Sequence, residues 1–338
     1  MSVMLVCAAH SPLMNYLDAD DRVAKPVRAA LSAVARRVED FDPELVVVFA
    51  PDHFAGFFYD LMPPFCVGAR AHAIGDFGIS TEGRSYHVPE DLARRLTGAL
   101  HANGVDAAIS YRMQADHGFA QTLEHVAGGV GSYPTVPVFI NCAAPPCPPM
   151  ARVRQLGAAV GRFLVQAEGG RRVLLIGSGG LSHDPPIPTL QTAPPAVQEV
   201  LIAGRHPPPE RMLAKVQRNI DTARALEAGT GPALPLNPEW DQRFMDLLLA
   251  GRLDEVAAMD MDQARAVAGV GAHEVRTWLA AFAALDAMGG QPSGANALQP
   301  LRHYAPVPLW NAGFGIIAVG GAKPATTASG KESAWTSA

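Results

Sequence analysis

Clustered positive charge is missing from this 338-residue chain. Lys and Arg are scattered, and the formal net charge is −5 with His neutral, so nothing resembles a nucleic-acid footprint. Cysteine is scarce as well. Cys7, Cys66, Cys142 and Cys147 form no CxxC pair, and so few in so long a chain make no disulfide scaffold. A reducing cytoplasm is the compartment that fits. Cys142 and Cys147 have the wrong spacing for zinc and read as packing residues. No internal repeat of fixed period is visible. Gly177-Ser178-Gly179-Gly180 lacks both GxGxxG spacing and a Walker lysine, and it runs into Leu181-Ser182-His183-Asp184-Pro185 rather than a helix. Its glycines read as places where backbone approaches a substrate. Residues 304–322 carry no charge, about the length a bilayer demands. Pro306, Pro308, Asn311 and several glycines argue instead for an irregular loop followed by a buried strand around Gly315–Val319. The charge-poor start, Met1–Ala9, is short and has no basic residue, so it is expected to be a first strand and not a signal peptide.

What the chain does have is apolar mass: 49% apolar and 17% charged residues, enough for a large core and too much for global disorder. Strands and helices alternate in the first half. Strands are expected at Val3–Ala8, Leu45–Ala50, Ala107–Met113, Val136–Asn141 and Val173–Ile176, the second a continuous β-branched run of the kind buried on both faces. Helices are expected at Val27–Asp40, Pro89–Ala102, Phe119–Val126 and Ala151–Ala167, from apolar spacing and end signals, with residues 55–85 irregular. After about residue 185 prolines punctuate a helical region, with helices near 210–227, 238–250, 253–259 and 273–288 and a last strand near 314–319. The pattern predicts an α/β fold: a central, mostly parallel mixed sheet with helices on both faces and a helical insertion in the second half. Residues 1–321 would form one domain. Residues 322–338 cannot bury enough apolar surface to order themselves and are expected to be a loose tail.

Four histidines share one context. His10, His53, His117 and His183 each sit just past an apolar run, where a strand gives way to a loop. In open α/β sheets ligands bind outside the carboxyl ends of the strands, so four imidazoles delivered there can converge. Any one of them alone reads as a structural histidine; the shared context is what points to chemistry. Neutral imidazole is both the commonest metal ligand and the base whose pKa suits neutral pH. An all-nitrogen zinc site is one outcome. The other is two histidines plus a carboxylate on Fe(II), with two histidines left as acid and base. Asp52, Asp116 and Asp184 adjoin these histidines and read as loop caps or ring orienters. Glu274 is a remote candidate carboxylate in Ala272-His273-Glu274-Val275-Arg276, though an acid in a first helical turn is also simply good for the helix dipole. His273 and Glu274 lie about 100° apart on a helix, so only one of them should face a shared site.

Ala8-Ala9-His10-Ser11-Pro12, Ala50-Pro51-Asp52-His53, Asp116-His117-Gly118-Phe119-Ala120-Gln121, Gly177–His183, Ala272–Trp278 and Tyr304–Trp310, in this order, resemble the class III extradiol ring-cleavage dioxygenases. The likeness covers about residues 1–320 and is nearest the branch acting on 2,3-dihydroxyphenylpropionate and 2,3-dihydroxycinnamate. The resemblance implies that His10, His53 and Glu274 bind Fe(II), that His183 accepts a proton and that His117 donates one. It also implies a catechol and O2 as small-molecule partners, no nucleic acid or membrane, and a homo-oligomer. Arg276, Arg302 and Tyr304 are available for a substrate carboxylate. A zinc hydrolase and a non-catalytic binding protein on the same fold are the competing readings.

Overall fold

A computed structural model of the chain describes residues 2–78, 83–290 and 299–321. The continuous apolar runs become strands β1 (Ser2–Ala8) and β2 (Leu45–Ala50). Three short strands follow, β3 (Phe65–Gly68), β4 (Ala71–Ala73) and β5 (Ala108–Ser110), and then β6 (Met113–Ala115). The remaining strands are β7 (Thr135–Ile140), β8 (Arg172–Ser178), β9 (Leu301–Val307) and β10 (Ala312–Gly320). Eight strands form one sheet in the order β5-β3-β7-β2-β8-β1-β10-β9, while β4 and β6 pair separately. The centre, β7-β2-β8-β1, is parallel; β10 joins β1 antiparallel and β9 joins β10 antiparallel. The mostly parallel mixed sheet expected from the sequence is thus present.

Helices cover both faces because alternate residues of the central strands point opposite ways. Leu5, Cys7, Val47, Phe49, Val173 and Leu175 enter the core shared with α2 (Glu90–Ala102) and α4 (Met150–Ala167). Met4, Val6, Val46, Val48, Leu174 and Ile176 face α1 (Asp21–Phe41) and α3 (His117–Val126). The second half adds α5 (Pro195–Ala203), α6 (Pro209–Glu227), α7 (Pro238–Leu249), α8 (Leu253–Ala257), α9 (Met261–Ala268) and α10 (Val275–Ala287). Every residue of α10 from Val275 to Leu285 is buried, so it is a core helix without a polar face. It reaches α4 closely because α4 carries glycines at the crossing: a Cβ on Gly157 would lie 2.2 Å from the Ala280 carbonyl oxygen, and one on Gly161 2.4 Å from that of Ala284.

Some expectations needed revision. Residues 55–85 hold two short strands, and α5 and α9 were not foreseen. The expected Ala107–Met113 strand ends at Ser110, and Met113 opens β6 in the other sheet. The uncharged segment, where described, belongs to a β9–β10 hairpin and is not a loop before one strand. Pro306 is tolerated because β9 is the sheet edge, where a missing N–H need cost no ladder bond. Among the described residues no helix is long and apolar enough to cross a membrane. All four cysteines are free, three of them buried. The expected tail, 322–338, lies outside the described residues.

Candidate active site

His10 follows β1 by two residues, His53 follows β2 by three and His183 follows β8 by five. His117 opens α3 directly after β6, so it comes off the small sheet and not the main one. The four nevertheless meet. The His53 and His117 rings stack at 4.2 Å with only 20° between planes, and His10 stands edge-on to both, at 5.4 and 5.3 Å and 88° and 85°. Glu274 joins them: its carboxylate lies 3.1 Å from His53 Nε2, 3.3 Å from His183 Nε2 and 3.7 Å from His10 Nε2.

The carboxylate is held there by ties between the start of α10 and the end of β8. Gly180 N–H donates to Glu274 Oε2 at 2.8 Å, Thr277 Oγ1 to the Ser178 carbonyl at 2.8 Å, and Trp278 Nε1 to the Gly179 carbonyl at 3.2 Å. A Cβ on Gly179 would come within 2.8 Å of Glu274 Cβ, and one on Gly180 within 2.6 Å of the His183 ring. The Gly-Ser-Gly-Gly loop therefore makes room for two site residues rather than for a substrate. His273 turns the other way and donates from Nε2 to the Met261 carbonyl at 3.2 Å.

Each Nδ1 has its own acceptor, which fixes the tautomer. Ser178 Oγ gives its hydrogen to the Gly118 carbonyl at 2.5 Å, so at His10 it accepts, 3.0 Å from Nδ1. His53 Nδ1 donates to Asp116 Oδ2 at 2.8 Å. His117 Nδ1 donates to Asp76, which also accepts the His117 backbone N–H at 2.9 Å. His183 Nδ1 donates to the Leu181 carbonyl at 3.1 Å. Every Nε2 is thereby left to face the site. Burial, only partly offset by Glu274, pushes His10 down to about 3, so it is neutral, the form that ligates a metal. Burial pulls His53 and His183 down too, but neighbouring carboxylates outweigh it and raise both. Glu274 would be raised by burial, yet His183, His53 and His10 hold it well below the usual carboxylate range. A buried anion ringed by imidazoles calls for positive charge, and a metal ion would supply it.

The sequence-adjacent acids do what was expected of them. Asp116 orients His53 and caps α3 through Gly118 N–H at 2.9 Å. Asp52 accepts from the N–H groups of Ala55, Gly56 and Phe57, and burial, reinforced by Asp116, raises it to about 7. Asp184 accepts from Val270 N–H at 3.0 Å. Asp76 was missed, since it lies in the stretch read as irregular; its flanking glycines, Gly75 and Gly78, were the only available sign of a fixed turn. Ser178 was noticed only as part of a glycine loop.

The histidines open onto a cavity of about 1020 Å³ walled by Pro185–Pro188, α5 and one face of α6, with Phe54, Phe77 and Trp310 beside them. Arg276, Arg302 and Tyr304 are not in its lining. Arg276 is buried against the Pro148 and His273 carbonyls, Arg302 pairs with Asp246 at 2.9 Å, and Tyr304 donates to Asp241 at 2.7 Å.

Comparison with known proteins shows the family. The family model described as the catalytic LigB subunit of aromatic ring-opening dioxygenase matches residues 4–315. The chain belongs to this family. Three curated relatives are named 2,3-dihydroxyphenylpropionate/2,3-dihydroxicinnamic acid 1,2-dioxygenase. That of Paraburkholderia xenovorans is 51% identical over 92% of this chain and 95% of its own. Those of Cupriavidus pinatubonensis and Klebsiella pneumoniae are 49% and 46% identical, each over 94% of this chain and 98% of its own. This ring-opening dioxygenase is therefore an enzyme of a metal-dependent family. Its ligand-capable atoms on His10, His53 and His117 lie within 4.8 Å of one another. Neither the zinc hydrolase nor the binding protein is favoured.

Proposed function

We propose that the enzyme opens the ring of 3-(2,3-dihydroxyphenyl)propanoate, and of 2,3-dihydroxycinnamate, by Fe(II)-dependent extradiol cleavage, giving 2-hydroxy-6-oxonona-2,4-dienedioate from the former. His10, His53 and Glu274 are the ligands, His183 is the proton acceptor and His117 the proton donor. The observation that carries this reading is the approach of Glu274 to imidazoles from β1 and β2, within 3.1–3.7 Å.

The ring planes favour this set over one using both His53 and His117. A ligating lone pair lies in the plane of its imidazole, so both planes must pass through the ion. Stacked rings tilted by only 20° have no common point within bonding reach. This supports leaving one of the pair free, and His53 is the one of the two that reaches Glu274. Two histidines and a carboxylate on one face leave positions open, which suits Fe(II) with a chelating substrate and O2. When bound, the iron would let triplet O2 react with a closed-shell catechol by passing an electron between them.

The chain's own residues handle protons and position. His183 keeps its Nδ1 hydrogen on Leu181 and offers Nε2 to a catechol hydroxyl. His117, held at Nδ1 by Asp76, exchanges its proton at Nε2 as the ring opens. The proposal includes a single catalytic domain over residues 1–321, acting in the cytoplasm as a homo-oligomer. Anaerobic loading with Fe(II), then 2,3-dihydroxyphenylpropionate and air, should give one O2 consumed per yellow ring-opened product. His183→Ala and His117→Ala should keep the metal and lose turnover, whereas Glu274→Gln should lose metal affinity. Loss of iron from either histidine variant, or full occupancy at normal rate in Glu274→Gln, would overturn the division of roles.

A further inference from the structure

The cavity wall contributed by α6 has a charge pattern unlike the rest of the molecule. Arg211, Lys215 and Arg218 all line it, at the i, i+4 and i+7 spacing that puts side chains on one helix face. Among the described residues no Asp or Glu lines this cavity, and none of the three cations has an ion-pair partner. The chain as a whole carries a net charge of −5, so three cations with no ion-pair partner among the described residues, gathered in one pocket, are not a reflection of composition.

Lys215 reaches furthest toward the histidines. Its Nζ donates to the His53 carbonyl at 3.2 Å and lies 5.4 Å from the centre of the Phe77 ring, which in turn packs edge-on at 5.1 Å against His117. The ammonium group has three donors, and the carbonyl takes one. Asp116 is close enough to feel this charge but is already bound to His53. We infer that Lys215 anchors the side-chain carboxylate of the catechol, with Arg211 and Arg218 drawing the anion into the cavity. This rests on the reading of the enzyme as a dioxygenase of a catechol bearing an acid side chain. It replaces Arg276, Arg302 and Tyr304 with a cation that faces the pocket. A lysine suits the task because a flexible point charge can follow a carboxylate on a short, rotatable chain.

The test compares 2,3-dihydroxyphenylpropionate with 3-propylcatechol, which keeps the three-carbon chain and drops the charge. Wild-type kcat/KM should favour the acid by about 10- to 100-fold, the range expected of a hydrogen bond to a charged group, and raising salt should shrink the preference. Lys215→Met should lower that ratio by at least 10-fold, and Lys215→Arg should restore most of it. Binding of 3-phenylpropanoate to the metal-free protein, followed by calorimetry, should weaken at least 10-fold in Lys215→Met. A wild type indifferent to the charge, or a Lys215→Met ratio equal to wild type, would overturn the assignment. If the iron-loaded wild type opens neither catechol, the dioxygenase reading fails instead. In that case the 3-phenylpropanoate measurement decides the anion site by itself.

Discussion

Gly271→Ala tests whether His183 must stand where it stands. Gly271 lies in the short turn Val270–Glu274 that leads into α10, and its φ is not in the left-handed region, so alanine suits the backbone. The added Cβ would sit 2.1 Å from His183 Nε2 and 2.2 Å from Cε1, on top of the ring. Restoring ordinary contact requires the imidazole to move by roughly 1.3 Å, which disturbs its 3.3 Å approach to Glu274. A displacement of about 1 Å in a reacting group costs on the order of 100-fold in rate. The ring can swing at an off-rotamer cost of about 0.5–1.5 kcal/mol, so melting should fall by only a few degrees. The expected variant is folded, binds metal fully and turns over about 100-fold more slowly. Product absorbance, metal analysis and a thermal melt check the three parts. Gly98→Ala is the control: beyond the backbone of its own helix and its chain neighbours nothing lies within 4 Å of the added Cβ, and it should gain about 0.5–1 kcal/mol with unchanged rate. A Gly271→Ala enzyme with full metal and a rate within twofold of wild type would refute the role given to His183.

Other expectations concern the supports of the site. Asp76→Asn removes the carboxylate that holds His117 Nδ1, and should lower kcat by about 10- to 100-fold with metal content unaltered; steady-state kinetics beside metal analysis decide it. Gly157→Ala forces a Cβ to 2.2 Å from the Ala280 carbonyl, and overpacking at a helix crossing costs about 1–3 kcal/mol; an unchanged urea midpoint would show that α4 and α10 can part easily. Burial and then Arg276 push His273 down to about 4, against about 6.5 in the unfolded chain. The unfolded state thus takes up the proton first. The contribution is complete above pH 6.5 and is lost as pH falls toward 4, about 3 kcal/mol at most. His273→Gln keeps a donor for Met261 and should flatten the acid side of the stability curve; parallel curves for the two proteins would refute the assignment.

The central strands were legible because parallel strands buried on both faces leave continuous apolar runs, as in Leu45–Ala50. The histidines were legible through their shared place at strand ends. What escaped notice was set by tertiary contact. The edge position of β9 excuses Pro306, and nothing local announces an edge. Asp76 is recognisable only beside His117, 41 positions away. Glu274 could have been a dipole-balancing acid; its approach to three imidazoles is visible only once α10 is docked. The cations of α6 look like an ordinary solvated helix face until a cavity is found beneath them.

The one acid that approaches three of the imidazoles sits at position 274, after most of the chain, in the turn that leads into a helix swallowed whole by the core. A ribosome partway through this message has made all four imidazoles and the acids that orient two of them, Asp76 and Asp116, but not the acid that joins them. Its place depends on α10 lying against the glycines of α4. A proteolytic fragment that stops before the turn Val270–Glu274 would keep all four of these histidines and still lack the acid they gather around.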